Sequence, residues 1–213
     1  MSHKFIFMDD KIKNIITKTC KLFQKFGIKS VSMDDIAQQC GISKKTLYES
    51  VKDKHDLVKK VIDYEFSKKN NSPHNIKFEN KNSIEILFIV YQGAIEFFKD
   101  FNMSMEYDLQ KYYPDLYSKT RVRRREHIYK KMMFNMTQGI EENIYRDNFN
   151  IDIVARLHVM KIEALLQTDI FDKTEHSIVD IFEELFTHHF MAIATPLGVK
   201  AFNKKLKEVN KHK

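Results

Sequence analysis

Only five glycines and three prolines punctuate the 213 residues of this chain, and that scarcity limits the possible folds more than any other feature. Sandwiches and barrels turn often and need Gly or Pro at many of their turns. Here Pro73, Pro114 and Pro196 all fall in breaks between apolar-periodic runs, so the chain reads as long helices, an all-α protein. With 43% hydrophobic residues it is long enough to bury a real core in one or two domains.

The first run, over residues 9–26, sets Ile12, Ile15, Ile16, Leu22 and Phe23 at helical spacing, and Gly27 stops it. Ser32 then precedes Met33 as an N-cap, with Asp34 and Asp35 in the first turn, where the helix dipole favours negative charge. Cys40-Gly41 ends this short helix, Ser43 caps a third that runs to about residue 50, and Asp53 or a neighbour starts a fourth. Residues 68–82, polar and containing Pro73, read as a linker. Residues 83–101 are apolar on almost every side, so that helix must be surrounded by others. Helices over 104–112, 114–145, 151–168 and 174–194 follow, then a lysine-rich tail that frays or forms a loose helix. The domain boundaries expected are 1–60, 61–197 and a basic tail over 198–213. A first unit of about fifty residues buries too little surface to be robust alone, so the fourth helix is expected to brace it against the larger part.

Charge is concentrated at one end. Residues 1–60 hold 13 lysines against 7 acidic side chains, which places six of the seven net positive charges there, while the remainder is nearly neutral. A basic segment on a neutral body points to a polyanion.

The spacing in QQCGISKKTLY makes that partner specific. Two helices cross steeply through a tight turn when the first offers a small residue at the crossing, the turn accepts positive φ, and the second returns an apolar residue inward. Ala37, Gly41 and Leu47 fill those places, and Ile36, Cys40 and Ile42 complete the inner side. The third helix then presents Lys44, Lys45, Thr46, Tyr48 and Glu49 outward, side chains suited to phosphates and base edges on an element that the major groove admits.

The stretch LFQKFGIKSVSMDDIAQQCGISKKTLYESVKDKHDLV resembles the N-terminal DNA-binding domain of the TetR family of transcriptional regulators, and KYYPDLY and GIEENIYR resemble segments of some C-terminal domains. The resemblance implies a homodimer whose C-terminal domain holds an effector pocket and the dimer interface. It makes Ser32 a phosphate contact, brings Lys44, Lys45 and Thr46 to DNA from the third helix behind the Ser43 cap, and has Tyr48 and Lys54 reach phosphates. Ser32 and Ser43 serve as helix caps whether or not DNA is bound. Two positions depart from the family pattern. Glu49 stands where an aromatic is usual and is read as a side chain with no readout role; Val51 stands where Phe is usual and fills less space between the third and fourth helices.

In the larger part, Met132, Met133 and Met136, with Met103, Met105, Phe88, Tyr91, Phe98 and Tyr107, either line an adaptable cavity for a small apolar or amphipathic effector or are plain core. Ile178, Ile181, Phe182, Leu185, Phe186, His189, Phe190 and Ile193 form one apolar stripe; Val154, Leu157, His158, Ile162 and Leu165 form another. The resemblance implies that the two pair with their symmetry mates as a four-helix dimer interface, and the alternative is that they pack within one chain.

Cys20 and Cys40 make no C-x-x-C pair, the N-terminal apolar run is too short for a signal sequence, and no run is long and apolar enough for a membrane span, so a cytoplasmic protein is expected. His176 and His188-His189 lack the spacing of a metal site, and no phosphate-cradling loop or nucleophile elbow is present, so neither cofactor, metal nor enzymatic activity is expected. The reading is a sequence-specific DNA-binding regulator, a repressor of the palindromic-operator type released by a small molecule; the alternative is a helical protein-interaction scaffold that reads no DNA sequence.

Overall fold

The computed structural model describes residues 10–70, 78, 80–99, 101–166, 171 and 175–210. Among them are ten helices: α1 (Asp10–Phe26), α2 (Met33–Cys40), α3 (Lys44–Ser50), α4 (Lys54–Asn70), α5 (Ser83–Lys99), α6 (Met103–Tyr112), α7 (Pro114–Glu141), α8 (Ile151–Leu165), α9 (Ile178–Ile193) and α10 (Pro196–Asn210). No strand occurs among the described residues; Tyr145 and Ala194 make one isolated antiparallel bridge. Most of the expected linker around Pro73, and helix ends expected at Thr168 and Thr174, lie outside the described residues.

Two compact units result, one of Met1–Asn70 with Phe101–Arg121, the other of Asn71–Asp100 with Val122–Lys213. The first is therefore not the continuous 1–60 segment expected from the sequence. Helix α6 and the first turns of α7 complete it, supplying Leu109, Leu116 and Tyr117 to a core of Ile15, Ile16, Phe23, Ile28, Ile36, Leu47, Leu57 and Val61. Polar contacts fix α6 to the loop after α1. The Asp108 carboxylate accepts the Lys29 backbone N–H at 2.8 Å, and Asn102 Nδ2 donates to the Gln24 carbonyl. Gly27 in that loop has φ +80°, and a Cβ there would meet Asp108 Oδ2 at 2.9 Å, so glycine is required for conformation and for space alike. At the start of α4, His55 Nε2 lies 3.1 Å from Asp115 Oδ1 and packs its ring on Tyr113.

The second unit is built on aromatic rings. Phe88 and Tyr91 of α5, Phe182, Phe186 and Phe190 of α9, and Phe202 of α10 are buried and stack edge or face on one another at 4.3–6.0 Å between centroids. Phe202 is fully buried, so the stretch expected as a loose basic tail is a helix docked by its apolar side. A polar net pins the start of α5 to α7: Glu142 accepts from both the N–H and the hydroxyl of Ser83, and Asn135 donates to the Ser83 carbonyl while accepting from Tyr145 OH.

Burial sorts the two stripes expected at the dimer interface. His158, Ile162 and Leu165 on α8, and Phe182, Phe186, His189, Phe190 and Ile193 on α9, are already buried within one chain; Val154, Ile178, Ile181 and Leu185 are half-buried. Leu157 alone of that set is exposed, and it lies with Ile153 and Met160 on an outward apolar edge of α8. One apolar helix has two sides to bury, and sequence spacing does not say which meets the chain's own core. His158 and His189 face each other with ring centroids 4.4 Å apart, and His158 Nδ1 and His189 Nε2 find no hydrogen-bond partner among the described residues.

Candidate nucleic-acid interface

Helix α2 begins in a full capping box. Ser32 Oγ accepts the Asp35 N–H at 3.1 Å, and the Asp35 carboxylate accepts the Ser32 N–H at 2.7 Å and its hydroxyl at 2.6 Å. These bonds hold the Asp35 carboxyl below its ordinary range, the Ser32 hydroxyl contributing most. At its other end Gly41 adopts the left-handed conformation, φ 70° and ψ 33°. Its N–H donates to Gln38 O, and the next, of Ile42, reaches back to Ala37 O, both at 3.0 Å, which closes the helix in a Schellman motif. A Cβ at Gly41 would meet nothing within 4 Å, so only the backbone angle demands glycine there.

Ser43 restarts the chain. Its Oγ accepts the Thr46 N–H at 3.0 Å and shares a 2.9 Å hydrogen bond with Thr46 Oγ1. Leu47 and Val51 turn inward and join Ile36 and Ala37 in the core, with Ile42 and Cys40 packed at its edge. The opposite side of α3 faces outward: Lys44, Lys45 and Glu49 are exposed, Tyr48 is 44% exposed and Thr46 is half-buried.

The outward side chains differ in their engagements. Lys44 Nζ lies 2.9 Å from Asp34 Oδ2 of α2, a contact that raises the lysine's affinity for its proton. Glu49 Oε2 stands 3.9 Å from Lys11 Nζ of α1. Lys45 makes no ion pair among the described residues. Lys54 is turned partly inward: its ammonium is 3.4 Å from Lys29 O, and partial burial lowers its pKa against the pull of Asp108 and Asp35. Ser32 is exposed, its hydroxyl held in the capping box.

The other expected sites come out differently. Phe88, Tyr91, Phe98, Met132 and Met136 are buried and Met133 half-buried in the second unit, whereas Tyr107 is 55% exposed on α6 of the first unit. The Phe88 and Tyr91 rings are occupied by Phe182, Phe186 and Phe202 of the same chain, which makes them core. Among the described residues no group of three or more His, Cys, Asp or Glu can hold a metal ion, and no helix is long and apolar enough to cross a membrane.

Two helices crossing at a glycine turn, with a capped second helix presenting lysines to solvent, form a helix-turn-helix. Residues 15–61 match the family of bacterial regulatory proteins described as the tetR family. Residues 15–61 form a TetR-type N-terminal domain. Solved structures share the fold of this chain. A TetR transcription regulator from Haloarcula marismortui superposes with a TM-score of 0.74 at 14% identity, over 88% of this chain and 100% of its own. A transcriptional regulator from Cytophaga hutchinsonii gives 0.71 at 18% identity over the same shares of the two chains. The ketosteroid transcriptional regulator KstR2 of Mycobacterium tuberculosis gives 0.55 at 16%, over 88% of this chain and 97% of its own. No curated protein matches the sequence. The outward residues of α3 are also the ones that sequence spacing singles out; the Asp34–Lys44 pair has no counterpart in that reading, because nothing in the spacing joins the first turn of one helix to the first turn of the next.

Proposed function

We propose that this chain is a TetR-family regulator that acts in the cytoplasm as a homodimer and represses transcription by binding a palindromic operator, with Lys44, Lys45 and Thr46 of α3 entering the major groove and Tyr48 reaching a phosphate. The observation that carries the proposal is the outward row on α3 behind the Ser43 cap, aimed by the left-handed turn at Gly41. The +6 charge of residues 1–60 supplies the long-range attraction. Ser32 and Lys54 are weaker candidates than the resemblance implies, since each is engaged within the protein.

Dimerisation is assigned to the α8–α9 face whose apolar residues stay outside the single chain's core, Ile153, Leu157 and Met160, with the half-buried Val154, Ile181 and Leu185 beside them. Two-fold symmetry then matches two copies of α3 to two half-sites. A small apolar or amphipathic effector in the second unit releases the DNA by binding one arrangement of the protein more tightly than the other. Because the aromatic side chains there touch one another, such a ligand has to part them, and the buried Met132 and Met136 of the same unit are adaptable side chains.

Salt dependence tests DNA binding against the scaffold alternative. Several phosphate contacts give a log–log slope of about −0.9 per contact, and affinity for duplex that is insensitive to salt would leave the scaffold reading in place.

A further inference from the structure

The first turn of α2 carries two acidic residues, and the structure separates their tasks. Asp35 is fully used by the capping box, with its carboxylate on the Ser32 N–H and hydroxyl. That alone meets the preference of a helix start for negative charge. Asp34 takes no part in the cap and instead reaches across the turn, its Oδ2 2.9 Å from Lys44 Nζ at the start of α3. Both side chains are well exposed, 68% for Asp34 and 52% for Lys44. A carboxylate beside a surface meant for phosphates repels DNA, so this position demands a compensating use.

We propose that Asp34 is a positioning residue: it tethers the Lys44 ammonium so that the lysine meets a defined base edge and not whichever phosphate is nearest. A free lysine on a flexible four-carbon stem serves any duplex equally, and the tether therefore acts on the ratio of operator to random-sequence affinity. Lys45 makes no ion pair among the described residues and has no such tether. This inference rests on the proposed reading of DNA by α3.

The test is a double-mutant cycle on the full-length protein, using the duplex it selects from a random pool and a scrambled duplex of equal length. Asp34→Asn in the wild-type background lowers the operator-to-scrambled affinity ratio by roughly two- to fivefold, the size of an exposed ion-pair effect. It also steepens the salt slope on scrambled DNA by up to about 0.9, as the released lysine finds a phosphate. Asp34→Glu, which keeps the charge, restores much of the ratio. In a Lys44→Met background Asp34→Asn leaves the ratio unchanged. An unchanged ratio in the wild-type background, or an equal fall with Lys44→Met, overturns the tether while leaving DNA reading by α3 intact. If the wild-type protein prefers no sequence at all, both fall together.

Discussion

The facing pair His158 and His189 makes a quantitative demand on stability. Burial holds the His158 pKa at about 3 and the His189 pKa at about 4, both far below the ordinary value of 6.5, and Lys161 adds to the depression of each. The unfolded chain takes up protons at both rings as the pH drops through about 6.5 while the folded chain refuses them, so stability is intact above that value and drains away toward about pH 4. At about pH 5 each ring then costs the fold about 2 kcal/mol relative to neutral pH, or about 4 kcal/mol together, a large share of a typical domain's stability. His127, held at about 4 by burial with Lys131 and Lys130 nearby, acts in the same direction in both proteins. Replacing both facing histidines, His158→Leu with His189→Leu, removes the two unpartnered ring nitrogens together with their protons. Urea unfolding followed by circular dichroism, at one protein concentration because any self-association contributes to stability, measures the difference between about pH 7 and about pH 5. The wild type loses stability over that interval and the double variant loses about 4 kcal/mol less. Equal losses in the two proteins would refute the reasoning, since the rings would then have to be protonated in the fold.

Gly41→Ala costs about 1–2 kcal/mol in thermal or urea unfolding, the penalty of a left-handed residue with open space around it, and Gly41→Asn costs less. Gly27→Ala is more damaging, because the new methyl group also meets the Asp108 carboxylate; a milder loss than at Gly41 would count against the α6 clasp. Lys45→Ala weakens operator binding, by roughly 1–3 kcal/mol at particular base positions where the lysine touches a base edge, whereas equal losses on every sequence would restrict it to phosphate. Ile153→Lys with Leu157→Lys shifts the protein toward monomer in sedimentation velocity while its helical signal is kept, and an unchanged dimer would move the interface elsewhere.

Local signals made the helix-turn-helix legible. Ser32, Gly41 and Ser43 each act within five residues, and their geometry follows from side-chain chemistry and backbone sterics that any sequence displays. The completion of the first unit was not legible: Asp108 and Lys29 stand 79 positions apart, and α6 has the same apolar spacing whichever unit it joins. For α8 and α9 the periodicity identified apolar faces without deciding which faced inward, and the structure gave most of the expected interface residues to the chain's own core. Tyr107 sits exposed beside Lys111, and an aromatic at helical spacing carries no mark of its partner. The Asp34–Lys44 contact depends on the crossing of two helices, which residue spacing fixes only to the extent of a turn.

Selection of bound duplex from a random pool by the wild-type protein tests most directly whether two copies of α3 read DNA together. The result expected is a palindrome whose half-sites lie about one helical turn apart, or a multiple of it, with the preference at base positions lost in a Lys45→Ala or Lys44→Met variant. Recovery of sequences with no shared motif, or of a single unrepeated half-site bound equally well by both variants, would contradict it.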